Sequence, residues 1–122
     1  MSPIKRLSQS FKNAFHGLAH TFRSEQNLRL QVVAGIVALA LAVYFSVRVW
    51  ELVLIILLIG WVITMELLNT ALEYFTDLLK PRLHHYVHAV KDVMAAAVLV
   101  SSLGSAIIGL IIFVPYFVKL FQ

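Results

Sequence analysis

The chain has 122 residues, 61% of them hydrophobic and only 13% charged, with a mean hydropathy of +0.88, which is too apolar for an ordinary soluble domain of this size. It contains no cysteine, which excludes a disulfide framework, a thiolate nucleophile and a Cys-based zinc site. The net charge of +4 comes without basic residues interleaved with stacking aromatics, so no nucleic-acid partner is expected, and the composition points to a small all-α integral membrane protein.

In chain order, the first predicted element is a helix over about 4–27. Leu7, Phe11, Ala14, Phe15, Leu18 and Phe22 share one face of it, while Lys5, Gln9, Lys12, His16 and Arg23 share the other. That is the pattern of a basic amphipathic helix lying in the headgroup layer; a cytosolic helix packed on a loop is the alternative. Three apolar runs follow at about 30–47, 52–72 and 93–117, each near the roughly 20 residues needed to cross a hydrocarbon core. Arg29 and Arg48 bound the first run, Trp50 reads as an interfacial anchor and Trp61 as a packing residue. The first apolar run starts too late and is too long for a cleavable signal peptide.

The Lys and Arg residues orient the spans. Lys5, Arg6, Lys12, Arg23 and Arg29 precede the first, Lys80, Arg82 and Lys91 lie in the 78–92 connection, and only Arg48 and Lys119 occupy the other side. The bias predicts that the N-terminus and the 78–92 connection face the cytoplasm, in a cell (inner) membrane.

The second span carries the informative departure from apolarity. In MELLNTALEYFTD, Glu66, Asn69, Glu73 and Asp77 follow an i, i+3, i+7, i+11 series, which gathers all four on one face of a helix. A carboxylate at the centre of a spanning helix costs roughly 2.5–3.5 kcal/mol on insertion, so an acidic stripe there is a candidate working site. Counted from Trp50, Glu66 lies about 24 Å along the helix, at the cytoplasmic edge of the core, with Glu73 and Asp77 beyond it. Desolvation at that depth suits Glu66 to general-base work, and Glu73 is placed to hold a hard cation such as Mg²⁺ carrying nucleotide phosphates.

Other residues extend this inventory. Glu25 is the only acidic residue before Glu51 and offers a second metal carboxylate. Lys91 and Asp92 are expected to begin the third spanning helix, the lysine neutralising phosphate charge and the aspartate orienting it or capping the helix. Two carboxylates for metal, one base at headgroup level and a lysine for phosphates suit phosphoryl transfer. Each residue also has a structural reading: Glu66 and Glu73 as partners of Lys or Arg across a bundle, Lys91 with Asp92 as a helix start. For His84, His85 and His88 the choice is between a zinc-binding pair without a third ligand and a solvated loop, and the loop is favoured. A transporter or scaffold is the alternative of another class, but it would keep ionisable groups near mid-membrane on several spans. Ala97, Ser101, Ser105 and Gly109 form a small-residue row at i, i+4 spacing, as close helix contact requires. No GxxxxGK[ST] loop or kinase Gly-rich loop occurs, so ATP would have to be held by carboxylate-bound metal and scattered cations.

MELLNTALEYFTD followed by KDVMAAAV, with SEQNLR and HGL upstream, resembles the prokaryotic diacylglycerol kinase family, which includes the undecaprenol kinases, over nearly the whole chain. The resemblance implies an ATP-dependent lipid kinase in which Glu66 accepts the proton of the lipid hydroxyl. It further implies Glu25 and Glu73 as ligands of the divalent metal with ATP, and Lys91, Asp92, Arg6, Asn13, Arg82 and His84 as nucleotide contacts. Glu66 and Arg29 would meet the lipid, with Asn69 and Asp77 orienting the site. It implies a homotrimeric bundle, each subunit having a surface helix and three spanning helices, with sites completed by neighbours. RSEQNLR, NTALE and the Phe-rich start favour the undecaprenol branch; diacylglycerol is the alternative acceptor.

Overall fold

The computed structural model describes residues 2–122. It consists of four helices: α1 (Pro3–Ser24), α2 (Gln26–Tyr44), α3 (Val49–Asp77) and α4 (His84–Leu120). Local chemistry starts and stops them. The Ser2 side chain accepts from the Lys5 N–H at 3.2 Å and Pro3 occupies the first turn of α1, where its missing donor costs nothing. Glu25 alone, in an extended conformation, separates α1 from α2. The Arg29 guanidinium reaches back from α2 to the carbonyls of Phe22 and Arg23 at 3.0 and 2.8 Å, satisfying acceptors that the end of α1 leaves open.

The α2–α3 turn contains Ser46 at φ 50°, and α3 begins with the Glu51 carboxylate accepting from the Arg48 N–H at 3.0 Å. The same carboxylate oxygen accepts from the Tyr116 hydroxyl. Glu51 therefore ties the N-terminal end of α3 to α4, beside a cluster in which Phe45 meets Phe113, Tyr116 and Phe117.

Helix α3 is the middle element: α2 and α4 both pack on it, and α1 touches α2 and α3. Gly35 permits the close α2–α3 approach, since a Cβ there would sit 3.0 Å from Ile59 Cγ2. Few apolar residues are buried: Ala42, Ile55, Ile112 and Phe113 form one cluster, and Leu28, Val62 and Val87 are buried outside it, while Ile56, Leu57, Ile107 and Ile111 face outward. Such continuous exposed apolar surface belongs in lipid or against another helix. Helices α2, α3 and α4 are long and apolar enough to cross a membrane, and the chain is a membrane protein.

Several expectations shift. The first span ends at Tyr44 rather than 47, because the chain turns through Phe45 and Ser46. The expected connection 78–92 shrinks to residues 78–83. His84, His85 and His88 therefore lie on the first turns of α4 rather than in a loop, and Lys91 and Asp92 sit two turns inside the helix, where Asp92 caps nothing. Hydropathy marks where a helix leaves lipid, whereas backbone hydrogen bonding carries it on; at 37 residues, α4 is about 55 Å long, well beyond a core of about 30 Å. Helix α3 likewise continues past residue 72 to Asp77. Trp61 is 54% exposed, outside the residues packed on the core cluster.

Candidate functional site

The acidic face of α3 opens into a cavity of about 770 Å³ between α2, α3 and α4. Glu66, Asn69 and Glu73 form one wall, Asn27 and Gln31 of α2 enter from the side, and Lys80, His84, His88, Lys91 and Asp92 stand opposite. An acidic wall thus faces a predominantly basic one across a space large enough for a small ligand.

Glu66 is 2% exposed, and its Oε2 has no hydrogen-bond partner among the described residues. Thr70 donates to the Glu66 carbonyl at 3.1 Å, tying that hydroxyl into the α3 backbone rather than to the carboxylate. One turn on, Asn69 Nδ2 donates to Glu73 Oε1 at 3.3 Å, and Thr76 donates to the Glu73 carbonyl at 3.1 Å. Glu66 feels the negative charges of both Glu25 and Glu73, so the carboxylate at the α1–α2 break belongs to the same electrostatic cluster. Among the described residues no Lys, Arg or His pairs with any of these three glutamates. That arrangement argues against a purely structural ion-pair role for Glu66 and Glu73 within this chain.

Asp77 differs. Its Oδ1 lies 3.2 Å from Lys91 Nζ and 3.8 Å from Lys80 Nζ, so it aims two ammonium groups rather than adding to the free negative charge. His88 Nδ1 lies 3.8 Å from Asp92 Oδ2, and the His84 and His88 rings meet edge to face at 5.8 Å. No group of three or more His, Asp or Glu side chains is arranged to hold a metal among the described residues. The hard-oxygen chemistry of Glu25 and Glu73, and their lack of a cation partner, nonetheless fit a divalent cation shared with a ligand's own oxygens.

Of the expected site residues, Glu66, Asn69, Glu73, His84, Lys91 and Asp92 line this cavity, and Asp77 touches it through Lys91. Glu25, Arg6, Asn13 and Arg82 do not line it: Glu25 sits at the break between α1 and α2, Asn13 accepts from Gln9 at 3.0 Å on the exposed side of α1, and Arg82 is exposed in the connection. Arg29 serves the end of α1 as described. Asn27, Gln31, Lys80, His88 and Ser102 line the cavity without having been singled out for it. The i, i+4 pair Asn27 and Gln31, polar at the mouth of an apolar run, was the available signal for two of them.

The arrangement sets the lysine's sensitivity. Lys91→Ala should raise the KM for a phosphate-bearing ligand by about ten-fold or more, as loss of a charged contact does. Asp77→Asn should raise it only about two- to five-fold, the worth of an exposed ion pair. Steady-state kinetics on both variants checks this; an equal effect of the two would mean that Asp77 contacts the ligand itself.

Comparison with known proteins gives three matches. The prokaryotic diacylglycerol kinase family profile matches residues 12–113. The undecaprenol kinase of Bacillus subtilis is 38% identical over 112 residues, covering 92% of this chain and 91% of that protein. The diacylglycerol kinase of a Synechocystis species is 29% identical over 107 residues, 87% of this chain and 61% of its own length.

Proposed function

The chain belongs to the prokaryotic diacylglycerol kinase family, and on that premise we propose that it transfers the γ-phosphate of ATP to the hydroxyl of undecaprenol, yielding undecaprenyl phosphate and ADP. The observation that carries this reading is Glu66: a buried carboxylate with an unpartnered oxygen, set across one cavity from Lys91, Lys80 and His84. The name and coverage of the Bacillus relative favour the prenyl acceptor over diacylglycerol.

Glu66 takes the proton of the lipid hydroxyl as that oxygen attacks the γ-phosphorus in line. The bond from the γ-phosphorus to the β–γ bridging oxygen breaks, and ADP leaves. Lys91, steadied by Asp77, and Lys80 bind the phosphates from the opposite wall; Asn69 fixes the Glu73 carboxylate. Glu25 and Glu73 would hold Mg²⁺, which when bound supplies charge neutralisation at the phosphates. Burial keeps water away from Glu66, so the lipid hydroxyl rather than solvent meets the base.

Eight Lys and Arg residues on one side of the spans against two on the other support a cytoplasmic active site and N-terminus in the cell membrane. Phe11 and Phe15 of α1 are 59% and 68% exposed, which supports placing α1 on the membrane surface with its apolar face in the headgroup layer. In a homotrimer, Arg6, Asn13 and Arg82, which stand outside their own chain's cavity, would complete a neighbour's site.

The test is phosphate transfer in lipid–detergent micelles with Mg²⁺. Label should pass from γ-labelled ATP to undecaprenol and none from α-labelled ATP. Hydrolysis of ATP with no labelled lipid would refute the lipid kinase reading.

A further inference from the structure

The basic wall of the cavity carries less charge than its lysines suggest. Lys80 and Lys91 share the Asp77 carboxylate, and Asp92 lines the same wall, so two ammonium groups meet two carboxylates and cancel. What remains is His84 and His88, which stand one turn apart with their rings edge to face at 5.8 Å and both line the cavity. Asp92, one turn further on, places Oδ2 3.8 Å from His88 Nδ1, which leaves the other ring nitrogen, Nε2, clear of that carboxylate. Across the cavity stand Glu66 and Glu73 of α3, while α2 brings only uncharged amides. The His88 side chain is 70% exposed, and an exposed i, i+4 pair with Asp92 contributes little to stability, so the fold makes no strong demand for histidine here.

We propose that His88 is a phosphate-binding residue that works in its protonated form, so that the nucleotide binds with uptake of a proton and more tightly as pH falls. The proposal rests on the lipid kinase reading above and deepens it, by assigning the net charge that this wall presents to the polyphosphate. A triphosphate stays negative even with one divalent cation bound, and an acidic wall stands opposite, so a wall whose charges cancel would do little to attract it. A protonated His88 adds one positive charge and an N–H donor, and charge-assisted bonds to phosphate are among the strong ones. Histidine is the side chain whose charge changes between about pH 5 and 8. The cation present at low pH adds to binding, and its loss as pH rises weakens it. Glu66 has the opposite requirement, since a base must start unprotonated, so pH acts on nucleotide binding and on phosphate transfer in opposing senses.

The test measures equilibrium binding of a non-hydrolysable ATP analogue, with saturating Mg²⁺, to the full chain in micelles at about pH 6 and about pH 8, the two ends of the range in which histidine changes charge. Wild type is compared with His88→Gln and His88→Lys; glutamine and lysine are both good helix formers, so neither change at this exposed position threatens α4. Ionisation of the analogue and of His84 is common to the three proteins, so the differences between them report His88. At the higher pH His88→Lys should bind about three- to ten-fold more tightly than wild type, and at the lower pH His88→Gln should bind more weakly than wild type by about the same factor, roughly the worth of one screened charge pair. Calorimetry in two buffers of different protonation heat should show wild type taking up more protons on binding than either variant. One common pH dependence for all three proteins would overturn the proposal, and labelled phosphate still reaching the lipid would then leave the kinase reading intact. His88→Lys binding no more tightly than His88→Gln at the higher pH would overturn it equally. The expected divergence in binding, without any transfer to lipid, would support the role of His88 and refute the kinase.

Discussion

Glu66→Gln is expected to lower the rate of phosphate transfer by about 10³-fold or more, at the strong end of what loss of a general base costs, while nucleotide affinity stays within about two-fold of wild type. The glutamine keeps the shape and burial of the side chain but cannot take the proton of the attacking hydroxyl. Glu66 already has an oxygen with no partner, so the amide breaks no existing bond to that atom. A loss confined to kcat is the signature of an interaction made in the transition state. Single-turnover transfer and equilibrium binding of a non-hydrolysable ATP analogue separate the two quantities. An equal fall in affinity would place Glu66 among the nucleotide contacts.

Glu73→Gln should do the converse. Glu73 lies two turns further along α3, held by Asn69 and free of any cation partner among the described residues. As the proposed metal carboxylate, Glu73 makes affinity the quantity at stake. Binding of Mg²⁺ with the ATP analogue is expected to weaken on the order of 10- to 100-fold, as loss of a charged contact of about 1.5–3 kcal/mol implies. Raising Mg²⁺ should recover part of the rate in Glu73→Gln and none in Glu66→Gln. Recovery in both variants, or in neither, would mean that proton transfer and metal binding are not divided between these two positions.

The parts of this site that follow one helix were legible in the residues alone. The i, i+3, i+7, i+11 series put Glu66, Asn69, Glu73 and Asp77 on one face of a helix, and α3 carries all four in a single unbroken element. The three apolar runs likewise correspond to α2, α3 and α4. Boundaries were less legible because polarity reports the solvent around a residue and not its backbone bonding: His84 to Asp92 read as a connection yet form the first turns of α4. The division within the acidic stripe was also hidden. That Asp77 belongs with Lys80 and Lys91, while Glu66 pairs with no cation among the described residues, depends on how α4 is rotated against α3, which no single-helix pattern encodes. Asn27, Gln31 and Ser102 join the cavity for the same reason. Arg29, which the resemblance implicates in lipid contact, also bonds the carbonyls ending α1 through its Nη1. That is a consequence of the one-residue break at Glu25, which no apolar pattern marks.

Competition between the two lipids tests the acceptor. Undecaprenol and diacylglycerol, present at equal mole fraction in the same micelles with γ-labelled ATP and Mg²⁺, compete for one base and one nucleotide, so the partition of label reports the acceptor directly. Label is expected predominantly in undecaprenyl phosphate; label predominantly in phosphatidic acid, or in neither lipid, would contradict it.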